Sequence, residues 1–174
     1  MAWTNSAIFQ QAMLNPIGRA VNAATVPTSF VSLTADAVKV ALFNNSTTPD
    51  KTAAVGSTGF NTGTWTQNVG NEVIDTGGSN WPTGGIAATG LTWAVDTGSS
   101  SLCYHAANTP GLGNVTIAAA FGCLVYDSTI SGGTVAKQGL CYNYFGGTQN
   151  VTAGTFTVIW ATVGATTAIF NLTV

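Results

Sequence analysis

His105 is the only histidine of this 174-residue chain, and histidine is the residue type best suited to acid–base chemistry at neutral pH, so it is the first candidate for such chemistry. The run Ser99–Ser101 and Cys103 precede it closely, and a hydroxyl or thiol beside an imidazole is the arrangement of a nucleophilic hydrolase. On a strand, the Cys103-x-His105 spacing puts both side chains on one face, yet the sequence offers no third group to orient the ring. No Gly-x-Ser-x-Gly nucleophile turn is present either. We therefore interpret His105 as structural and predict that the protein is not an enzyme, with a hydrolase as the alternative.

The sequence contains no group of residues with the spacing that metal or cofactor binding requires. The acidic residues are isolated and do not form the Asp-x-Asp-x-Asp-Gly pattern of a calcium loop: Asp36, Asp50, Glu72, Asp75, Asp96 and Asp127. The cysteines lack the Cys-x-x-Cys pairs of zinc and redox sites: Cys103, Cys123 and Cys141. We expect no metal and no cofactor, and we interpret the three cysteines as reduced, buried, small hydrophobic residues.

Charged residues are scarce, with 4 Lys+Arg and 6 Asp+Glu, a charged fraction of 6%. A soluble domain usually carries roughly a quarter. The basic residues are isolated and form no patch that could neutralise phosphates, so we expect no nucleic-acid partner. Polar residues and Gly interrupt each apolar run before the roughly 20 residues that a spanning helix needs, so we expect no membrane segment. The stretch Met1–Phe9 lacks a basic region followed by an apolar core, which favours synthesis in a cytosol.

The elements that must position these residues are predicted to be a short N-terminal helix followed by strands. Apolar residues recur at helical spacing between Ser6 and Val21, and Pro16 and Gly18 end or kink that helix. After Pro27 the composition changes to β-branched and aromatic runs bounded by turn residues. We therefore divide the chain into a helical arm at residues 1–26 and a β-rich domain at residues 27–174.

The β-rich part contains seven predicted strands separated by Gly-rich turns such as Thr83-Gly84-Gly85 and Phe145-Gly146-Gly147. The predicted strands are Ala37–Asn44, Thr64–Gln67, Gly90–Val95, Thr116–Asp127, Gly139–Phe145, Gly154–Thr162 and Thr167–Val174. Many short strands with such turns indicate an all-β fold, an antiparallel sandwich or a barrel-like domain, with the short N-terminal helix attached.

Tryptophan offers one further kind of site, because indole rings stack on sugars when they are exposed. Trp93 and Trp160 lie in apolar strand runs, where packing in the core is the default. Trp65 and Trp81 lie in polar, Gly-rich loops and are the candidates for a surface that binds a ligand.

Several stretches together resemble small structural proteins of tailed bacteriophages, particularly those of actinobacterial hosts, known as minor capsid, head decoration or minor tail proteins. The stretches are Val38–Lys51, Gly63–Trp65, Asn71–Val73, Phe121–Asp127, Gly132–Gly139, Tyr144–Gly147 and Val151–Val158. The resemblance covers most of the chain, although each motif is short and describes a fold more than a chemistry.

The resemblance implies a non-catalytic virion protein that is made in the host cytoplasm and reinforces the phage head by binding the major capsid protein. It also favours a symmetric oligomer, such as the trimer that is typical of decoration proteins, while the sequence itself fixes no number. A minor tail, baseplate or host-glycan-binding virion protein is the alternative. We expect the N-terminal segment to dock on the capsid or on a neighbouring subunit, with packing against its own domain as the alternative, through Trp3, Ile8, Phe9, Met13, Leu14 and Ile17.

Overall fold

Two antiparallel β-sheets make up the fold, and the all-β class predicted from the sequence is confirmed. The structure is a computed structural model that describes residues 3–10, 12–13, 33–67, 70–76, 80–131, 136–163 and 166–173. Sheet A has the order β1-β8-β7-β2-β3, with β4 also paired to β2, and sheet B has the order β5-β6-β10-β9. Buried residues of both sheets form one hydrophobic core, as in a sandwich.

The strands of the described residues, in chain order, are β1 (Ala7–Ile8), β2 (Val38–Phe43), β3 (Glu72–Val73), β4 (Ile86–Ala87), β5 (Thr92–Asp96), β6 (Ser101–His105), β7 (Leu112–Asp127), β8 (Gly139–Phe156), β9 (Ala161–Val163) and β10 (Thr166–Thr173). A short 3-10 helix covers Val55–Ser57. No described helix is long and apolar enough to cross a membrane.

Strands β7 and β8 form a long antiparallel ribbon, and β2 packs along the second half of β7. The strand β2 lies in the middle of sheet A, because β7 flanks one side and β3 and β4 flank the other. Its residues are therefore buried on both faces, apart from the partly exposed Lys39. Strand β5 lies at the end of sheet B, and most of its residues are exposed.

One predicted turn within this ribbon is wrong, because Phe145-Gly146-Gly147 lies inside β8. Opposite residues shift register here, from Ala120 paired with Gln149 to Gly122 paired with Tyr144. The intervening residues of β8 form a bulge, with φ of 79° at Gly146 and 158° at Gly147. The bulge accommodates these residues, which are typical of a turn, and the strand continues on both sides of it.

Two predicted strands need correction, and three strands of the β-rich part were not predicted. Thr64–Gln67 is not a strand, and the strands that were missed are β3, β4 and β6. The predicted strand Gly154–Thr162 is interrupted at residues 157–160, although Val158 and Trp160 remain buried. Side chains replace the ladder there: the Val158 amide donates to Thr109 Oγ1 at 2.7 Å, and the Trp160 amide donates to Asn108 Oδ1 at 3.0 Å.

The N-terminal segment begins as a strand where we predicted a helix, because Ala7 and Ile8 pair with Tyr142 and Cys141 of β8. Gln10, Ala12 and Met13 are helical, and most of the predicted helix lies outside the described residues. Leu14, Ile17 and the proposed boundary between residues 26 and 27 also lie outside them. The edge of sheet A thus holds the start of the described chain.

Trp3 and Phe9 are fully buried in the core of their own domain, which agrees with the alternative interpretation of this segment and not with a free docking arm. The Trp3 ring packs edge-on against Trp65, with centroids 5.8 Å apart, and Trp3 Nε1 donates to the Asn44 carbonyl at 2.8 Å. A Cβ atom on Gly122 would fall 2.4 Å from the Trp3 ring, so the ring lies directly on the β7 backbone. Ile8 and Met13 are partly buried against the same core.

We expect Trp3→Ala to destabilise the protein by about 3–5 kcal/mol, because it leaves a cavity in the core and removes the bond to Asn44. Urea unfolding followed by circular dichroism measures the effect. Trp93→Ala is the matched control, since Trp93 is 36% exposed, and its cost should be no more than about half as large. An equal loss in the two variants would contradict the assignment of Trp3 to the core.

Candidate functional site

His105 and Cys103 lie on β6, where their spacing puts them on one face, as predicted. Both are buried. Burial raises the pKa of the Cys103 thiol, and the negative charge of Asp96 adds to this effect. A raised pKa keeps the sulfur protonated, which is the opposite of what a nucleophilic cysteine needs. Within the described part of the chain, no group of three His, Cys, Asp or Glu residues could hold a metal ion.

Cys123 and Cys141 are free and buried, as is Cys103, which matches the interpretation of the cysteines as small core residues. Burial raises the pKa of Cys123 to about 12, and it also raises the pKa of Cys141 well above its ordinary value. Thiols with such raised pKa values are poor nucleophiles and poor metal ligands at neutral pH.

A pair of buried carboxyl groups, Asp36 and Asp127, lies where β2 begins and β7 ends. The Ala37 amide donates to Thr129 Oγ1 at 2.7 Å, and the Ser128 amide donates to the Ala37 carbonyl at 2.9 Å, which fixes Asp36 near Asp127. Asp127 Oδ1 accepts from the Thr129 amide at 2.9 Å, whereas no described donor reaches its buried Oδ2.

Burial, with the adjacent Asp36 carboxyl as a further cause, raises the pKa of Asp127 to about 6. Tyr104 of sheet B lies close to both carboxyl groups. Burial raises the pKa of its hydroxyl, and the negative charges of Asp127 and Asp36 raise it further. The Tyr104 hydroxyl donates to the Leu33 carbonyl. This polar cluster was not foreseen, because Asp36 and Asp127 are 91 positions apart and only the pairing of β2 with β7 brings them together.

Trp65 and Trp81, the predicted surface-binding residues, are buried. Trp65 packs between Trp3, Phe9 and Phe43, and the Trp81 ring meets Phe156 edge-on at 5.4 Å. Neither indole can stack on a ligand in this conformation. The prediction that these two indoles are exposed was wrong, because the polar loops that carry them fold back over the core. Trp93, which we predicted to lie in the core, is partly exposed instead.

An open trough runs between the two sheets. It consists of three adjoining hollows of about 400, 350 and 200 Å³ that share lining residues. One wall comes from the start of the chain and from β8, and the other comes from β9, β10 and the segment before β9. The lining residues are Ser6–Ile8, Cys141, Asn143–Phe145, Gln149, Phe156–Ala161 and Ala168–Asn171.

The inter-sheet trough is uncharged, since none of its lining residues has an ionised side chain at neutral pH. Side-chain amides and hydroxyls of Ser6, Asn143 and Asn171 alternate with apolar groups. Ile159 is the most prominent apolar residue of the trough, since it is 73% exposed. Burying an unpaired charge is costly, so a trough of this kind favours an uncharged partner over an ionic one.

The carboxyl pair generates a prediction for stability against pH. The pKa of Asp127 is raised above its ordinary value of 3.8, so the folded state prefers the protonated group. That contribution is fully present below pH 3.8 and is lost as the pH rises through about 6. Asp127→Asn keeps an oxygen for the Thr129 amide, and we expect it to be about 1–3 kcal/mol more stable than the wild type at pH 7.5. Urea unfolding at several pH values should show this gap closing towards pH 4.5.

Asp50→Asn is the matched control for that experiment. Asp50 is exposed, and hydrogen bonds from the hydroxyl and amide of Thr52 lower its pKa, so its contribution is present above pH 3.8 and is lost only below it. We expect Asp50→Asn to be less stable than the wild type by the same amount at pH 7.5 and pH 4.5. A pH-independent gap for Asp127→Asn would show that Asp127 does not titrate in this range.

Comparison with models of known families, with curated proteins and with solved structures finds no match for this chain.

Proposed function

We propose that this chain is a structural virion protein that binds the head of a tailed bacteriophage as a capsid decoration or minor capsid protein. The resemblance to small structural proteins of tailed bacteriophages favours this family, and the uncharged inter-sheet trough is the observation that supports the role most directly. A protein that is made to lie against other protein needs a rigid surface with hydrogen-bonding and apolar groups. The trough offers both, between β1 and β8 of sheet A and β9 and β10 of sheet B.

The partner that we propose for the trough is an uncharged segment of the major capsid protein. The amides of Asn143, Gln149 and Asn171 can pair with a backbone that lies along the trough, while Ile159 and Phe145 provide apolar contact. Charged segments are disfavoured, because no lining residue could neutralise them. Contact area gained in this way would oppose the outward pressure on a filled head.

The proposal also includes self-association as a symmetric oligomer, assembly in the host cytoplasm and a final location in the virion capsid. The chain has a net charge of −2, so copies that sit side by side on a shell repel one another weakly. No cofactor, nucleic acid or membrane takes part in this mechanism, which is mechanical and not catalytic.

A tail, baseplate or glycan-binding virion protein remains the second candidate. Trp65 and Trp81 were the residues that favoured glycan binding, and their burial removes the specific observation behind it. Location on the particle separates the two candidates, because a tail protein would fractionate with tails.

The test is binding to purified phage heads that were assembled without the chain. We expect the wild-type protein to sediment with these heads through a density gradient and to cross-link to the major capsid protein. Ile159→Lys places a charge at the mouth of the trough, so its bound fraction should be at least about ten-fold lower, since an unpaired charge would be buried. Quantitative immunoblotting of the gradient fractions measures it.

Thr152→Lys is the matched control, because Thr152 is an exposed residue of β8 outside the trough and gains the same charge. It should bind heads like the wild type. Sedimentation of the wild-type protein with isolated tails and not with heads would overturn the proposed function. Equal binding by the two lysine variants would overturn the role of the trough.

A further inference from the structure

Strand β5 forms a free edge of sheet B that lacks the usual protection against strand pairing. Among the described residues it pairs with β6 alone, and Thr92–Val95 are all exposed. Native proteins protect such edges with Lys, Pro or bulges. Strand β5 has the sequence Thr-Trp-Ala-Val-Asp and contains none of these. Its one charged residue, Asp96, accepts hydrogen bonds from Gly98 and Ser99 in the following turn.

A row of aromatic rings crosses sheet B and ends at this edge. Phe170 of β10, Tyr104 of β6 and Trp93 of β5 lie opposite one another in register. The Tyr104 ring centroid is 5.4 Å from that of Phe170 and 4.9 Å from that of Trp93. Tyr104 is fully buried, whereas Trp93 is 36% exposed and Val95, on the same face, is 71% exposed. The apolar row therefore continues to the edge of the sheet, where the described residues cover Trp93 only in part and leave most of Val95 exposed.

We propose that β5 pairs with β5 of a second copy of this chain, antiparallel about a twofold axis through Ala94. Opposite residues in such a pair must lie on the same face of the sheet, and only a register centred on Ala94 pairs all five residues of β5. That register places Trp93 opposite Val95 of the second copy, and Val95 opposite its Trp93. Aromatic and β-branched residues are favourable cross-strand partners.

The strand is therefore self-complementary in three ways. The backbone of β5 can exchange hydrogen bonds with the backbone of β5 in the second copy. The apolar residues Trp93 and Val95 then lie opposite Val95 and Trp93 of that copy. At the twofold axis the two Ala94 side chains lie opposite each other, and they are small enough to fit there. The twofold arrangement closes at two copies and joins the two B sheets into one, so the edge is no longer free. This differs from the trimer that the family resemblance favoured.

The inference deepens the self-association included in the proposed function, but its test does not involve phage particles. A failure to dimerise would leave head binding through the trough unaffected, and a failure to bind heads would leave the dimer unaffected. The two results are therefore distinguishable.

The first experiment measures the mass of the purified wild-type chain by light scattering and sedimentation equilibrium between about 1 and 200 µM. We expect the mass to rise with concentration from the 17.7 kDa of one chain to twice that value and no further. Val95→Lys should shift the midpoint of this rise at least ten-fold upward, since it adds the charge that edges normally carry. Thr152→Lys is the matched control, because Thr152 is also exposed and gains the same charge, but it lies on β8 of sheet A, outside the trough and away from β5.

The second experiment tests the register by cross-linking. Ala94→Cys places two thiols opposite each other across the axis, where directly opposed Cα atoms are about 4.5–5.5 Å apart, within the range of a disulfide. We expect this variant to form a reducible dimer under mild oxidation. Thr92→Cys is the control, since its two copies would lie about 13 Å apart, too far for a disulfide.

A wild-type protein that stays monomeric at 200 µM, or that reaches a mass of three chains, would overturn the proposal. Equal cross-linking of Ala94→Cys and Thr92→Cys, or none in Ala94→Cys, would overturn the register. Circular dichroism of each variant verifies that it is folded before the masses are compared.

Discussion

The packing of aromatic rings around Trp65 is the constraint on which the rest of the structure depends. Four rings from three separate parts of the chain meet this indole at centroid distances between 5.0 and 5.9 Å: Trp3 and Phe9 of the N-terminal segment, Phe43 of β2 and Tyr142 of β8. Three of the four meet it edge-on, the favoured geometry for aromatic pairs. Because β1 pairs with β8 beside this cluster, the start of the described chain is part of the core, and it forms one wall of the inter-sheet trough.

Scarcity of charge links this core to the proposed function. With 6% charged residues, the chain builds its outer surface from amides, hydroxyls and apolar groups. The charged groups that it does bury have local roles, as where the Glu72 carboxylate accepts from the Gly84 amide at 2.6 Å. The two surfaces that we assign to partners, the trough and the edge of β5, are both free of basic residues. Such surfaces suit contacts with other proteins, where the energy comes from buried area and backbone hydrogen bonds.

Much of the fold could be predicted from the sequence, because β-branched and aromatic runs such as Val38–Phe43 report burial directly. The pattern failed where tertiary contacts decide the outcome. Trp65 and Trp81 lie in polar loops, and only the folded chain shows that these loops cover the core. The long strand β8 runs through a Gly-Gly pair because β7 holds it on both sides of the bulge. The trough and the carboxyl pair could not be predicted, since each joins residues far apart in sequence whose proximity depends on sheet pairing.

Cryo-electron microscopy of tailed phage particles assembled in the presence of this chain tests the proposed function most directly. We expect density for the chain on the outer surface of the head, with the inter-sheet trough turned towards the major capsid protein and β5 turned towards a second copy. Density on the tail or baseplate, or a head-bound copy whose trough faces solvent, would contradict it.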